Sequence, residues 1–216
     1  MTVQSGKCVI LAARWQGEEA AFLSPGEGDL LLCADAGYVR ARAFGWTPAL
    51  TIGDWDSLPL GTEVQGPRRT VPAHKDDTDT VLCVQEGRAR GYRHFRVGGG
   101  LGGRLDHTLA NLQLAADCAL RGESLWLCDT LNRVTVLAPG EYILPRMPDR
   151  KLSLLAFSEH VRGVTLRGTE WELTDAELHS RVPLGVSNEW RADAARLSFR
   201  EGLLLFLASG EEETER

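Results

Sequence analysis

The chain has 216 residues, 43% of them hydrophobic and 25% charged, a composition typical of one large or two small globular domains. Its 24 basic and 30 acidic side chains give a formal charge of −6 at pH 7, which argues against a protein that binds nucleic acid by neutralising phosphates. Because the longest uncharged stretch, Ala43 to Gly53, is much shorter than the roughly 20 apolar residues of a membrane span, and the polar start is not a signal peptide, we expect a cytoplasmic protein without a membrane partner.

The first two thirds of the sequence alternate short apolar runs with helix-like segments. The apolar runs are typical of buried parallel strands; they are Cys8 to Ala13, Leu30 to Asp35, Ala49 to Ile52, His94 to Val97 and Ser124 to Cys128. The helix-like segments are Tyr38 to Phe44, Thr78 to Ala89 and His107 to Leu120. This alternation predicts an α/β domain with a mostly parallel sheet over residues 1–138. The five cysteines lie mostly within apolar runs, so we interpret them as buried and reduced.

The pattern changes after Leu137, where prolines and glycines crowd a short stretch of the chain. Beyond it, short apolar segments without a long amphipathic helix predict strands; they are Lys151 to Phe157, Val164 to Arg167, Trp171 to Leu173, Arg196 to Phe199 and Leu203 to Ala208. We therefore predict a small all-β sandwich domain over residues 139–216. A domain of this size is marginally stable alone, so we expect it to pack on its neighbour or on a second subunit.

Two groups of aspartates carry the strongest chemical signal. Asp54 and Asp56 follow the predicted strand Ala49 to Ile52 and so emerge at the carboxyl end of the sheet, where open α/β sheets bind ligands. Asp76 and Asp79 lie at the start of a predicted helix, three residues apart. If both groups converge, they form an all-oxygen site that suits Mg²⁺. The alternative is structural, since aspartates also cap helices and form turns.

A glycine-rich segment, Gly98 to His107, runs from a predicted strand into the longest predicted helix. Backbone N–H groups at a helix N-terminus can bind phosphate, and the guanidinium of Arg104 can bind it in a bidentate manner. His107, beside Asp106 and Arg104, is a candidate for ligand contact. The G-x-G-x-x-G spacing alone is a weak signal. A flexible structural loop is the alternative interpretation.

These segments resemble, in order and spacing, the motifs of the thiamin pyrophosphokinase (thiamin diphosphokinase) family. The motifs are Asp35-Ala36-Gly37, Gly53-Asp54-Trp55-Asp56-Ser57, Lys75-Asp76-Asp77-Thr78-Asp79, Gly102-Gly103-Arg104-Leu105-Asp106-His107, Gly168-Thr169-Glu170-Trp171-Glu172-Leu173 and Gly185-Val186-Ser187-Asn188. The resemblance implies an N-terminal α/β catalytic domain, a C-terminal β-sandwich and a homodimer with active sites between subunits. It also implies the reaction, transfer of pyrophosphate from ATP to the hydroxyl of thiamin with release of AMP.

The resemblance also implies roles for particular residues. The metal ligands and catalytic residues would be Asp54, Asp56 and Asp79, with Asp76 close enough to share that role. The nucleotide and phosphate side would comprise Asp35, Gly102, Gly103, Arg104, Asp106 and His107. The thiamin side would comprise Trp171, Ser187 and Asn188, although a sandwich-core position is the other interpretation of Trp171. The chain departs from the usual family pattern at Ala36, at Trp55 and at Ala12-Ala13-Arg14.

Two other functions remain open on the residues alone. One is a different Mg²⁺-dependent phosphotransferase or phosphohydrolase that acts on another small alcohol or nucleotide. The other is a non-catalytic nucleotide-binding module that uses the glycine segment. The assignment of the activity from the residues depends on one spatial expectation, that acidic side chains from two separate loops meet around a single divalent ion at the mouth of the sheet.

Overall fold

The computed structural model describes residues 4–12, 20–72, 74 and 77–211. The chain divides into two compact units. The first comprises Met1–Cys118 and Glu123–Thr130, and the second comprises Ala119–Gly122 and Leu131–Arg216. Within the described ranges, none of the helices combines the length and the hydropathy that a bilayer-spanning helix needs.

The first unit alternates strands and helices. In chain order these are β1 (Cys8–Leu11), α1 (Ala20–Leu23), β2 (Leu30–Ala34), α2 (Gly37–Ala43), β3 (Leu50–Gly53), β4 (Arg68–Thr70), α3 (Asp79–Ala89), β5 (His94–Gly98), α4 (Leu105–Leu120) and β6 (Ser124–Cys128). The strands form a parallel sheet in the order β6-β5-β1-β2-β3-β4. Every residue of β1 and β2 is buried, as the apolar runs predict for strands covered on both faces.

The order of these strands determines where a ligand can bind. From β1 the chain proceeds through β2, β3 and β4 on one side of the sheet and then returns to β5 and β6 on the other side. The direction of winding therefore changes between β1 and β5. In open α/β sheets, such a switch point leaves a crevice outside the carboxyl ends of the strands.

The second unit consists of antiparallel strands. They are β7 (Asn132–Leu137), β8 (Gly140–Pro145), β9 (Lys151–Ala156), β10 (His160–Arg167), β11 (Leu173–His179), β12 (Gly185–Asn188), β13 (Ala194–Phe199) and β14 (Leu204–Ser209). They form the four-strand arrangements β12-β9-β14-β7 and β11-β10-β13-β8. Alternate residues of β14 are buried, and Phe206 and Ala208 are inaccessible to solvent. The predicted fold class, an α/β domain followed by a β-sandwich, is confirmed.

Some strands differ from the sequence predictions. The prediction that Trp171 to Leu173 forms a strand is wrong, because β11 begins at Leu173 and runs to His179. Every residue of β4 is exposed, and in β11 only Leu178 is buried. Neither strand shows alternating apolar residues, and both form by backbone pairing to a neighbouring strand. All five cysteines are free and buried, as predicted.

Candidate functional site

A cleft of about 570 Å³ opens in the first unit at the carboxyl ends of the parallel strands. Its walls come from the residues that follow β1, β2, β3 and β5 and from the start of α3 and α4. They include Ala12, Asp35, Asp54, Asp56, Ser57, Asp77, Thr78, Asp79, Gly99, Gly100, Gly102, Arg104, His107 and Asn111. The cleft therefore lies at the switch point of the sheet, with carboxylates from two separate loops on its walls.

Asp35 fixes the loop that follows β3. Its side chain is buried, and its carboxylate accepts hydrogen bonds from the backbone N–H of Trp55 (3.0 Å), from the backbone N–H of Ser57 (3.2 Å) and from the Ser57 hydroxyl. Gly53 is required beside it, because a Cβ at that position would lie 2.8 Å from Oδ1 of Asp35. Burial raises the pKa of Asp35, the negative charges of Asp54 and Asp79 raise it further, and the hydrogen bonds from Ser57 and Trp55 oppose this rise.

The carboxylates at the end of β3 form a compact acidic group. Carboxylate oxygens of Asp35, Asp54 and Asp56 lie within 4.8 Å of one another. The backbone N–H of Asp56 donates to Oδ1 of Asp54 (3.2 Å), and the indole N–H of Trp55 donates to the hydroxyl of Thr70 in β4 (3.0 Å). The loop is thus anchored on both sides. Such a concentration of negative charge favours a bound cation.

The second aspartate group opens α3. Thr78 is the N-cap of this helix and accepts a hydrogen bond from the backbone N–H of Val81 (3.3 Å). Asp79 lies in the first turn of α3 and lines the cleft that also contains Asp54. Asp76 lies outside the described residues.

The glycine segment forms the wall between β5 and α4. Gly99, Gly102 and Gly103 have φ values of 80°, 75° and 68°, the left-handed region that glycine adopts without strain. Asn111, buried in α4, donates from its amide to the carbonyl of Gly100 (2.8 Å) and so holds the segment in place. The loop conformation is therefore maintained by a side chain from the helix that follows it.

Arg104 and Asp106 form an exposed ion pair beside the cleft. The guanidinium donates from Nε to Oδ1 (3.1 Å) and from Nη2 to Oδ2 (2.6 Å), and Oδ1 also accepts from the backbone N–H of His107 (2.9 Å). The hydrogen bonds from Arg104 lower the pKa of Asp106 to about 2. Arg104 and His107 line the cleft, whereas Gly103 and Asp106 are not among the described residues on its wall.

The second unit contains a cleft of about 460 Å³. Trp171, Ser187 and Asn188 line it together with Lys151 and several leucines. Trp171 is 60% exposed, so it is not a sandwich-core aromatic. The buried amide of Asn188 accepts from the backbone N–H of Trp171 (3.1 Å) and donates to its carbonyl (2.7 Å).

Family models and individual relatives agree on one family. The model described as "Thiamin pyrophosphokinase, catalytic domain" matches residues 26–127, and "Thiamin pyrophosphokinase, vitamin B1 binding domain" matches residues 141–204. The thiamine pyrophosphokinase of Bacillus subtilis (strain 168) is 29% identical over 192 residues, 85% of this chain and 88% of that protein. The crystal structure of thiamine pyrophosphokinase from Bacillus subtilis superposes with a TM-score of 0.86 at 25% identity. The superposition covers 94% of this chain and 99% of that chain.

A thiamin pyrophosphokinase family protein from Enterococcus faecalis is 30% identical to this chain. Its crystal structure superposes with a TM-score of 0.78 over 95% of this chain and 100% of that chain. The chain belongs to the thiamin pyrophosphokinase family. The predicted family, fold class and enzyme class are thereby confirmed, and the alternatives of another phosphotransferase and a non-catalytic module are not favoured. As a thiamin pyrophosphokinase, the enzyme is a transferase of thiamin diphosphate synthesis.

Sequence reasoning missed three side chains of this thiamin pyrophosphokinase cleft. Ser57 and Thr78 are ordinary loop residues by sequence, and their hydrogen bonds to Asp35 and Val81 depend on the fold. Asn111 did give a signal, because it is a polar residue on the apolar face of a helix. A buried amide needs a partner, and here that partner is the glycine segment.

Proposed function

We propose that the enzyme transfers pyrophosphate from ATP to the hydroxyl of thiamin with the aid of Mg²⁺, giving thiamin diphosphate and AMP. The observation that carries this proposal is the acidic cleft of the first unit. There, carboxylate oxygens of Asp35, Asp54 and Asp56 lie within 4.8 Å of one another, and Asp79 and the glycine segment line the same space. Polyphosphate transfer needs charge neutralisation and positioning more than covalent assistance, and this cleft can provide both.

The carboxylates suit a hard divalent cation. Asp54, Asp56 and Asp79 are the proposed ligands, and Asp76 is proposed as a fourth on the family resemblance alone. The donors are oxygens, as Mg²⁺ prefers, and the raised pKa of Asp35 reflects burial and negative charges that a cation would offset. A bound Mg²⁺ would neutralise the polyphosphate and orient it. Asp35 would then keep the Asp54–Asp56 loop in position through Trp55 and Ser57.

The glycine segment and the start of α4 form the proposed nucleotide side. The residues concerned are Asp35, Gly102, Gly103, Arg104, Asp106 and His107. Backbone N–H groups in the first turn of α4 can donate to phosphate oxygens, since the first turn of a helix has no internal acceptors for them. In the ion pair with Asp106, Arg104 uses Nε and Nη2. Its Nη1 group remains available to a phosphate, and Asp106 fixes the plane of the guanidinium.

The cleft of the second unit is the proposed thiamin side. Thiamin carries a permanent thiazolium cation and two flat rings, so the exposed indole of Trp171 can stack on it. Asn188 positions Trp171 through the backbone, and Ser187 is fixed by the bond from its N–H to the Ser153 hydroxyl (2.9 Å). We also propose that residues 1–138 form the catalytic domain, that residues 139–216 form the thiamin-binding and dimerisation domain, and that the enzyme is a cytoplasmic homodimer.

The test is a product assay. The purified enzyme is incubated with ATP, thiamin and either Mg²⁺ or EDTA, and the nucleotide product is identified by chromatography. We expect AMP in equal amount to thiamin diphosphate, and no product in EDTA. ADP as the product would contradict pyrophosphoryl transfer, and turnover in EDTA would contradict the metal site.

A matched pair of variants locates the reaction. Asp54→Asn removes one carboxylate of the cleft, and we expect turnover to be lost while the circular dichroism spectrum is kept. Asp193→Asn makes the same chemical change at an exposed position in the second unit and should leave turnover unchanged. Equal activities of the two variants would refute the assignment of the acidic cleft.

A further inference from the structure

The second unit carries a group of two imidazoles and one carboxylate that the thiamin reaction does not use. His160, the first residue of β10, pairs directly with His179, the last residue of β11, in the antiparallel register. Directly paired residues lie on the same face of a sheet, and so do residues two apart on one strand. Glu177 therefore shares this face. One ligand atom from each of the three side chains lies within 4.8 Å of the other two.

His160 has a carboxylate near each of its two ring nitrogens. Its Nδ1 atom lies 2.9 Å from Oε1 of Glu177, and its Nε2 atom lies 3.4 Å from Oε1 of Glu159. In metal sites, the ring nitrogen that does not bind the ion usually donates to a carboxylate, a backbone carbonyl or water, which fixes the tautomer and the ring plane. Glu159 can perform this role while Nδ1 and Glu177 face the ion.

The second histidine is available as a ligand. Among the residues that the structure describes, no group forms a hydrogen bond with the buried Nδ1 atom of His179. Its ring lies against that of His160, with a centroid distance of 4.7 Å and an interplanar angle of 73°. Hydrogen bonds hold the backbone at both histidines. The Ser158 hydroxyl donates to the carbonyl of His160 (2.7 Å), and the backbone N–H of Val182 donates to the carbonyl of His179 (3.0 Å). Rigid strands therefore present both rings, and only side-chain rotation is needed to share an ion.

We propose that His160, Glu177 and His179 form a Zn²⁺ site that joins β10 to β11. Two imidazoles and one carboxylate form a known zinc ligand set, in which water takes the fourth position, whereas Mg²⁺ and Ca²⁺ favour sites made of oxygen alone. The side chains of His160 and Glu177 are 31% and 41% exposed, so an ion can reach them from solvent.

One neighbouring cation competes for the carboxylate. Arg162 donates from Nε to Oε1 of Glu177 (2.9 Å), and from Nη1 to Glu201 (3.0 Å). When Glu177 turns to the metal, Arg162 keeps Glu201 as its partner. The ion then supplies the positive charge that Arg162 gave to Glu177. The site therefore exchanges one ion pair for metal coordination without leaving a charge unpaired.

The test is metal titration of the whole enzyme. The protein is stripped with EDTA, transferred into excess Mg²⁺ to saturate the oxygen cleft, and titrated with Zn²⁺ by calorimetry. Co²⁺ serves as a second probe, because its visible absorption reports nitrogen ligands and tetrahedral geometry. We expect one equivalent to bind. His160→Gln and His179→Gln should each weaken binding at least about tenfold, since even the loss of residues behind the ligands has an effect of that size.

Matched controls locate the bound ion. His94→Gln removes a histidine of the first unit and should bind Zn²⁺ as the unaltered enzyme does, as should Asp54→Asn. Circular dichroism in EDTA checks that each variant is folded, and Glu177→Gln, which exchanges a single atom, provides a third ligand variant. Absence of Zn²⁺ binding in excess Mg²⁺, unchanged affinity in both histidine variants, or loss of binding only in Asp54→Asn would each overturn the proposal.

Discussion

Asp35 follows β2, and replacing it with asparagine tests whether its carboxylate organises the acidic loop. The carboxylate accepts three hydrogen bonds, at Oδ1 from Trp55 and at Oδ2 from the N–H and hydroxyl of Ser57. An amide has only one acceptor oxygen, so at least one donor loses its partner. A hydrogen bond to a charged group contributes about 1.5 to 3 kcal/mol. Removal of a buried charge and relief of its repulsion with Asp54 and Asp79 offset part of this loss, because burial and these charges raise the pKa of Asp35.

We therefore expect Asp35→Asn to lower the free energy of unfolding by about 1 to 2 kcal/mol in EDTA, measured by urea denaturation. Because displacement of a reacting group by about 1 Å can reduce the rate about 100-fold, we expect a decrease of that order in kcat/KM. The chain provides a matched control at the other end of β2. Asp29 also accepts three hydrogen bonds, two from Lys7 and one from Gly26, and it is not on the wall of the cleft.

Asp29→Asn should reduce stability while it leaves kcat/KM nearly unchanged. If the two variants lose activity to the same extent, general destabilisation explains the effect of Asp35→Asn. The reasoning about the loop would then be refuted. A normal kcat/KM in Asp35→Asn would refute it as well.

Four further predictions follow from single contacts. Arg104→Gln should raise the KM for ATP about 10- to 100-fold without a change in melting temperature, because the side chain is exposed and phosphate is its proposed ligand. In the unaltered enzyme, NMR titration should give Asp106 a pKa of about 2. The ion pair with Arg104 is then fully formed above the pKa that Asp106 has in the unfolded chain, and it is lost as the pH falls towards 2. Arg104→Gln should raise the pKa of Asp106. Asn111→Ala should lower the free energy of unfolding by about 1 to 3 kcal/mol, measured in urea, because it leaves the carbonyl of Gly100 without its donor. Trp171→Ala should raise the KM for thiamin about 2- to 30-fold, which corresponds to about 0.5 to 2 kcal/mol, and an unchanged KM would contradict stacking.

The sequence predicted those parts of the fold in which side-chain burial and strand formation coincide. Cys8–Leu11 and Leu30–Ala34 are continuous apolar runs, so their identity as buried parallel strands follows from composition. Arg68–Thr70 (β4) is a strand with every residue exposed. It forms by parallel backbone pairing with β3. No periodicity of side chains could have indicated it.

The same distinction applies to the candidate site. Asp54 and Asp56 could be placed at the mouth of the sheet because they directly follow a recognisable strand. Ser57 and Asn111 act through partners 22 and 11 residues away in sequence, and such approaches depend on how the strands pack. For Trp171 the sequence left core and ligand-facing positions open; its 60% exposure excludes the core position, and contact with thiamin stays a prediction.

The side-chain amide of Asn188 forms its hydrogen bonds to Trp171 with the main-chain N–H and C=O of that residue, not with its indole. These two hydrogen bonds therefore do not depend on which side chain is present at position 171. Variants substituted at position 171 should keep the backbone conformation of this loop while the shape and polarity of the exposed side chain change. The cleft that we propose for thiamin can therefore be altered to suit other flat cations while Asn188 keeps the backbone of position 171 in place.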